Sequence, residues 1–329
     1  MSAASPDVLE IWLACIDDET AALPSRLEAL SHLAQALHHY PESFVIARCV
    51  IRLLAVAQTS TQLTVLTHLA GVFGRLKSVA AADWLINVCL GDGIAAFDGP
   101  TGKTALTSDG GQRLRTAAAR ALGQLQDERA VMPLMSLLTD RSLNYRLRLA
   151  AAESLGHAGD PHALGSLMDI LEDDRESSIY LKESAAKALG MLGDIRAMDS
   201  LLHVLESKRG IKDKFDFLKE RAIEAIGRLI QPEQTSADDK HRKIVDNLRY
   251  ALLDNAPSIR IAAIEAFVEL NELDHLPLLI ERLRDSHEEV ALAAVPAIFQ
   301  LGGEEAIQAL LTRDDLPTFI RDEMETYIP

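Results

Sequence analysis

Residues 99–104 read GPTGKT, a Gly-rich run of the kind whose backbone N–H groups cradle phosphates while a Lys reaches them. A phosphate-binding loop needs a further Gly at position 97, where Phe97 stands, and no strand-like run precedes the segment to aim it. Nucleotide binding is therefore not expected. Metal chemistry needs His, Cys or carboxylates at ligand spacing. The ten His residues include a single His-Glu pair, His287 with Glu288, and no H-x-x-x-H or H-E-x-x-H spacing, so no metal ligand is nominated. Cys15, Cys49 and Cys89 form no C-x-x-C pair and lie in apolar helical runs, which reads as small buried hydrophobes in a reducing compartment. The 49 Asp and Glu residues are spread over solvated helix faces, and no pair stands out as general acid and base. No catalytic residue is nominated.

Residues that recur are more informative. Arg115, Arg148, Lys182, Lys219 and Arg260 occupy one equivalent place each, so stacking would align them as a ladder. They would pair with acidic residues of the next repeat or, less blandly, read an acidic partner or a ligand carboxylate. Just ahead of them stand Tyr145, Tyr180 and Phe217, with Phe215 beside the last. Each ring could pack on the preceding helix. Together they could instead form an aromatic edge of the kind enriched at interface hot spots. Residues 206–221, ESKRGIKDKFDFLKER, carry six basic residues against four acidic ones: Lys208, Arg209, Lys212, Lys214, Lys219 and Arg221. In a chain of net charge -16 this is a local reversal beside Phe215 and Phe217. A solvated turn is the plain reading; a surface for an acidic partner or for a propionate-bearing tetrapyrrole is the functional one.

The elements that must position these residues form a repeat. RTAAARALG (115–123), RLAAAESLG (148–156), KESAAKALG (182–190) and KERAIEAIG (219–227) align without gaps, and their final Gly residues are 33, 34 and 37 apart. A period of this size marks a stacked helical array. Each unit reads as helix A, a tight turn and helix B. Ala stands where helices must approach closely, and Gly123, Gly156, Gly190 and Gly227 fit a turn or a close backbone contact. Asp127, Asp160 and Asp194 then cap helix B, whose Val131, Leu134, Met135, Leu137 and Leu138 make one apolar face. Outward the pattern degrades: Val268 replaces the Gly, Pro296 should kink its helix, and residues 315–327 read as a closing amphipathic helix.

The fold class expected is all-α, a right-handed α-solenoid of helical hairpins with degenerate capping repeats. Its segments are degenerate repeats at 1–90, an exposed Gly-rich loop at 91–111, regular repeats at 112–230, a polar loop at 231–240, and C-terminal repeats with a capping helix at 241–329. The motif R/K-x-x-A-A-x-A-L-G-x-L-G-D resembles the HEAT-like repeats named after the phycobilisome lyases, closely over residues 113–310 and loosely over the first hundred. The resemblance implies a cyanobacterial setting. Its relatives include two-subunit phycobilin lyases, phycobilisome-degradation HEAT proteins and a HEAT protein that associates with an A-type iron–sulfur carrier. Deoxyhypusine hydroxylase also resembles such a fold, but its repeated His-Glu pairs are absent here.

The hydrophobic fraction of 48% suffices for a packed core, and aromatics at 5% with abundant Ala and Leu argue against an all-β fold. A pI near 5.0 argues against bulk nucleic-acid binding, which needs a positive footprint. The N-terminus lacks a basic region followed by a long apolar stretch, and no run approaches the length of a membrane span, so a cytoplasmic protein is expected. A stacked array offers a preorganised groove without the convergent, water-excluded cluster that catalysis needs. The leading expectation is a non-enzymatic scaffold or chaperone-like adaptor that binds another protein, of acidic surface, and needs no cofactor. The alternatives are a phycobilin lyase or bilin-holding subunit, in which case a bilin is the ligand, and an accessory partner of an iron–sulfur carrier.

Overall fold

The computed structural model describes residues 5–38, 40, 43–91, 106–208, 215–230 and 239–328. Every regular element among the described residues is a helix. The chain divides into two compact units, Met1–Ser166 and Leu167–Pro329. The first holds α1 (Pro6–Asp17), α2 (Leu23–His38), α3 (Ser43–Thr59), α4 (Leu63–Arg75), α5 (Ala82–Leu90), α6 (Asp109–Leu125), α7 (Val131–Thr139) and α8 (Tyr145–Ala158). The division falls within α9 (Leu164–Glu172). The second holds α10 (Ile179–Leu192), α11 (Met198–Ser207), α12 (Asp216–Leu229), α13 (Asp239–Ala251), α14 (Pro257–Leu270), α15 (Leu276–Arg282), α16 (Glu288–Leu311) and α17 (Thr318–Glu325).

Within each unit the helices stack as hairpins, the arrangement of an α-solenoid. In the first, α4, α6 and α8 pack in succession, with α5 and α7 alongside. In the second, α10, α12, α14 and α16 do the same, with α11, α13 and α15 alongside. Ala118, Ala119, Ala121 and Leu122 of α6 and Ala150, Ala151, Ala152 and Leu155 of α8 are buried. Ser154 Oγ of α8 donates to the Ala119 carbonyl of α6 at 2.8 Å, which sets how near the two backbones lie.

The repeat glycines serve that approach. A Cβ at Gly123 would stand 2.7 Å from Ser154 Cα, and one at Gly190 2.8 Å from Ala225 Cα. At Gly227 the nearest atom, Ala266 Cα, is 3.6 Å away, an ordinary contact. Gly123→Ala and Gly190→Ala are therefore expected to lose about 1–3 kcal/mol through overpacking. Gly227→Ala should gain up to about 1 kcal/mol of helix propensity. Chemical denaturation of the three variants checks this, and a Gly227→Ala loss as large as the other two would contradict it.

The turn lies three residues further on. Gln126, Gly159 and Gly193 adopt the left-handed conformation that ends α6, α8 and α10, with φ of 55°, 69° and 68°. Asp127, Asp160 and Asp194 follow, and their carboxylates accept from the N–H groups of Arg129, His162 and Arg196 at 2.8–3.0 Å. They cap a short 3-10 turn that leads into the second helix of each hairpin. Ser108, Asn144 and Ser178 cap α6, α8 and α10 in the same manner.

Two expectations change near the C-terminus. Pro296 lies inside α16, but the backbone leaves helical geometry at Gly303 (φ 67°, ψ −169°), where only Gly fits comfortably. Two helical stretches thus meet at a kink at that residue rather than at the proline. By length and composition α16 passes for a membrane-crossing helix. Gly303 interrupts it, and it packs against α14, α15 and α17. The closing helix α17 is shorter than the sequence suggests and buries Ile320 and Met324. Residues 92–105, which include GPTGKT, and 231–238 lie outside the described residues; 109–111 and 239–240 begin α6 and α13.

Candidate functional site

The basic ladder is buried along its whole length. Arg115, Arg148, Lys182, Lys219 and Arg260 are all less than a tenth exposed. The first three reach back to the last turn of the helix before them. Arg115 Nε donates to the Cys89 carbonyl of α5 at 2.9 Å, and Arg148 Nε to the Leu138 carbonyl of α7 at 3.0 Å. Lys182 Nζ donates to the Leu171 carbonyl of α9 at 3.1 Å. A helix leaves its last carbonyls unsatisfied and its C-terminus partly negative, so a cation there answers both needs. Burial, and then the nearby Lys208, pulls the Lys182 ammonium below its ordinary value.

The last two members take the acidic partners expected from the sequence. Lys219 Nζ lies 3.3 Å from Asp216 and 3.1 Å from Asp254. Arg260 makes a bidentate pair with Asp285 at 2.9 and 2.6 Å and donates to the Asp254 and Asn255 carbonyls. A further member escaped the sequence reading because no AAxAL core surrounds it. Arg26 of α2 is fully buried and donates twice to the Ile16 carbonyl near the end of α1, at 3.0 and 2.8 Å. With its charges so engaged, the ladder joins hairpins together and leaves little to offer a ligand.

The aromatic row behaves differently. Tyr145 is 46% exposed, while Tyr180 and Phe217 are each 65% exposed. Their rings therefore do not pack away on the preceding helix. Each sits in the first turn of its helix: Tyr145 opens α8, Tyr180 is second in α10 and Phe217 second in α12. Tyr145 belongs to the first unit; the others belong to the second, where α10 and α12 are packed neighbours. Phe215 is half-buried, and Lys208 Nζ lies 5.1 Å from its ring centroid, within reach of a cation–π contact. Arg209, Lys212 and Lys214 lie outside the described residues.

A cleft of about 450 Å³ opens between α12 and α14, lined in part by Arg221, Glu224, Arg228, Glu265 and Glu269. Arg221 pairs with Glu224 at 2.6 Å and lies 3.7 Å from Glu183. Burial, then the carboxylates of Glu224 and Glu220, pushes the Glu265 carboxyl up. Two of the cysteines are buried and Cys15 is half-buried, all as free thiols; burial raises the Cys49 and Cys89 thiols, which makes them poor nucleophiles.

The sequence reading also passed over a cluster of His241, Glu272 and His275 in the second unit. Its members come from the start of α13 and from the turn between α14 and α15, so no linear spacing announces them.

The family described as HEAT repeats matches residues 103–180 and 245–326, and the PBS lyase HEAT-like repeat matches residues 181–207. Together they cover more than half of the chain. The chain is a HEAT-repeat protein. Among solved structures it is similar to the complex of CpcE and CpcF of phycocyanin lyase from Nostoc sp. PCC7120, at 21% identity and a TM-score of 0.45. That match covers 85% of this chain and 94% of the other. It is also similar to Kap95p in a structure with RanGDP, at 14% identity and a TM-score of 0.62, over 98% of this chain and 47% of that one. A Kap121p mutant matches at 17% identity and a TM-score of 0.51, over 98% of this chain and 33% of the other. At such identities the likeness is one of fold. No curated protein sequence matches the chain.

Proposed function

We propose that this HEAT-repeat protein is a binding scaffold. Its docking surface for an acidic protein partner is centred on Tyr180, Phe215, Phe217 and Lys208 of the second unit and continued by Arg209, Lys212 and Lys214. The observation that carries the reading is the exposure of Tyr180 and Phe217 at the same register of two neighbouring helices, beside the densest basic run of an acidic chain. Tyr and Phe bring large contact area at low side-chain entropy cost, and the charges steer an acidic surface. Tyr145, in the first unit, stands three residues before Arg148 where Tyr180 and Phe217 stand two before Lys182 and Lys219, and joins the proposal only as an exposed ring in the first turn of its helix.

The partner is obtained by affinity purification from the native host and titrated against folded variants. Tyr180→Ala/Phe217→Ala is expected to weaken binding by about 2–4 kcal/mol, roughly 30- to 1000-fold. Reversing Lys208, Arg209, Lys212 and Lys214 should mainly slow association and flatten its salt dependence. Unaltered affinity in both variants moves the site to the charged cleft between α12 and α14. A bilin-holding subunit is the second reading, favoured by the lyase-type repeat at residues 181–207. An absorbance spectrum after incubation with phycocyanobilin separates the two: a perturbed bilin band supports the second reading, and an unchanged one removes it.

A further inference from the structure

His241, Glu272 and His275 bring two imidazoles and one carboxylate to one point, with their donor atoms all within 4.8 Å of one another. His241 lies near the start of α13. Glu272 precedes the 3-10 turn Leu273–His275 that follows α14, and His275 ends it. Asn271, in the left-handed conformation at φ 52°, ends α14 and turns the chain so that Glu272 and His275 face the same place.

The geometry within the cluster is already close. His241 Nε2 lies 3.3 Å from Glu272 Oε1, and His275 Nε2 lies 2.9 Å from Glu272 Oε2. Donors arranged tetrahedrally at zinc-ligand distances are about 3.3 Å apart, so one ion would draw the group together through small side-chain rotations.

His275 supplies the observation that sets this cluster apart from a surface ion pair. It is 6% exposed, and its ring meets Phe267 edge-on at 5.1 Å, which holds the imidazole in place. Yet neither of its ring nitrogens has a hydrogen-bond partner, although the Glu272 carboxylate lies 2.9 Å from Nε2. A buried polar side chain without partners is costly and calls for a reason. A metal ion between the imidazole lone pair and the carboxylate supplies one. Burial also favours the neutral imidazole, the form that ligates. The positive neighbour is Arg249, on α13, which opposes a dication and which Glu272 offsets.

We propose that His241, Glu272 and His275 form a zinc-binding site. Two imidazole nitrogens and a carboxylate suit Zn2+ in tetrahedral geometry, and three protein ligands leave the fourth position to water or to an external donor. The ion would tie α13 to the turn between α14 and α15 and so stiffen the second unit. This site is separate from the aromatic surface, and its test does not depend on that surface.

The experiment uses the full chain, stripped with chelator and titrated with Zn2+ by calorimetry, with thermal melts alongside and Co2+ as a spectroscopic probe. One equivalent of Zn2+ is expected to bind. At a hundredfold excess over the dissociation constant the melting temperature should rise by about 5–10 °C. Co2+ should give the strong visible absorption of a tetrahedral site without thiolate charge-transfer bands, which excludes the cysteines as its ligands. Glu272→Gln is isosteric and His241→Asn shortens a half-buried side chain, and each should weaken binding about a hundredfold while leaving the metal-free melt nearly unchanged. Two outcomes overturn the proposal: a wild-type chain whose melting temperature does not respond to Zn2+, or variants that bind the ion as the wild type does.

Discussion

Arg260→Met is expected to cost the fold about 3–5 kcal/mol at neutral pH, because it strands the Asp285 carboxylate in the interior. Both side chains of the pair are about 6–7% exposed. The guanidinium also satisfies the Asp254 and Asn255 carbonyls, so Met replaces the volume and none of the bonds. The pH dependence identifies the cause. Burial alone would raise the Asp285 carboxyl, but the Arg260 guanidinium and the His287 N–H outweigh it and hold it below its ordinary value. A group depressed in the folded state contributes stability above its unfolded pKa of about 3.9 and loses it as the pH falls through the folded value. The wild-type advantage over Arg260→Met should therefore be full at neutral pH and shrink on acidification below about pH 4, as the unfolded chain and then, at lower pH, the folded wild-type Asp285 take up the proton. Urea denaturation at a series of pH values measures it. A deficit that stays constant down to pH 3 would assign the loss to packing instead.

That residue also shows where sequence reading stops. The place of Arg260 in the repeat is legible, since it heads RIAAIEAF as Arg148 heads RLAAAESL. What it binds is not. Asp285 is 25 residues away and meets it only through the packing of the second unit. Arg115, Arg148 and Lys182 turn to backbone carbonyls, which every residue carries and no sequence pattern marks. A ladder read as ion pairs is therefore, in three of its five members, a set of helix C-caps. The glycines teach a related lesson. Close approach and left-handed backbone both call for a missing Cβ, so the residue type at 123 and 190 is compatible with either, and only the distances to Ser154 and Ala225 decide for the first. The left-handed position itself is filled by Gln126 in one repeat and by Gly159 and Gly193 in the others. The Asp caps, by contrast, were legible because their partners lie two residues along the same chain. The aromatic row was legible as a position and not as a state, because whether a ring in a first turn packs or projects depends on the neighbouring helix. The cluster of His241, Glu272 and His275 gave no metal-ligand motif, since Glu272 and His275 share one turn while His241 lies 31 residues before Glu272 on an earlier helix.

Ala118→Glu and Ala152→Glu test the register on which the rest depends. Both alanines are fully buried, Ala118 in α6 and Ala152 in α8. In a stacked array each helix of this layer faces a neighbour on both sides, and stability is a sum of repeat and interface contributions. Here α6 packs on α4 and on α8, so a side chain pushed into either contact disturbs an interface that no other element can replace. Glu adds volume where Ala just fits and brings a carboxylate with no cationic partner prepared for it. Together the two effects are expected to cost about 4 kcal/mol or more, beyond what a typical single substitution costs. The ladder cations cannot relieve this, because Arg115 and Arg148 are already committed to carbonyls at the ends of α5 and α7. Arg113→Gln on the same helix is the control: its side chain is 75% exposed, and its removal should change stability by no more than about 0.5 kcal/mol. Circular dichroism melts of the three variants decide the matter. If Ala118→Glu and Ala152→Glu melt within a degree or two of the control, the AAxAL face is not the one that joins the helices.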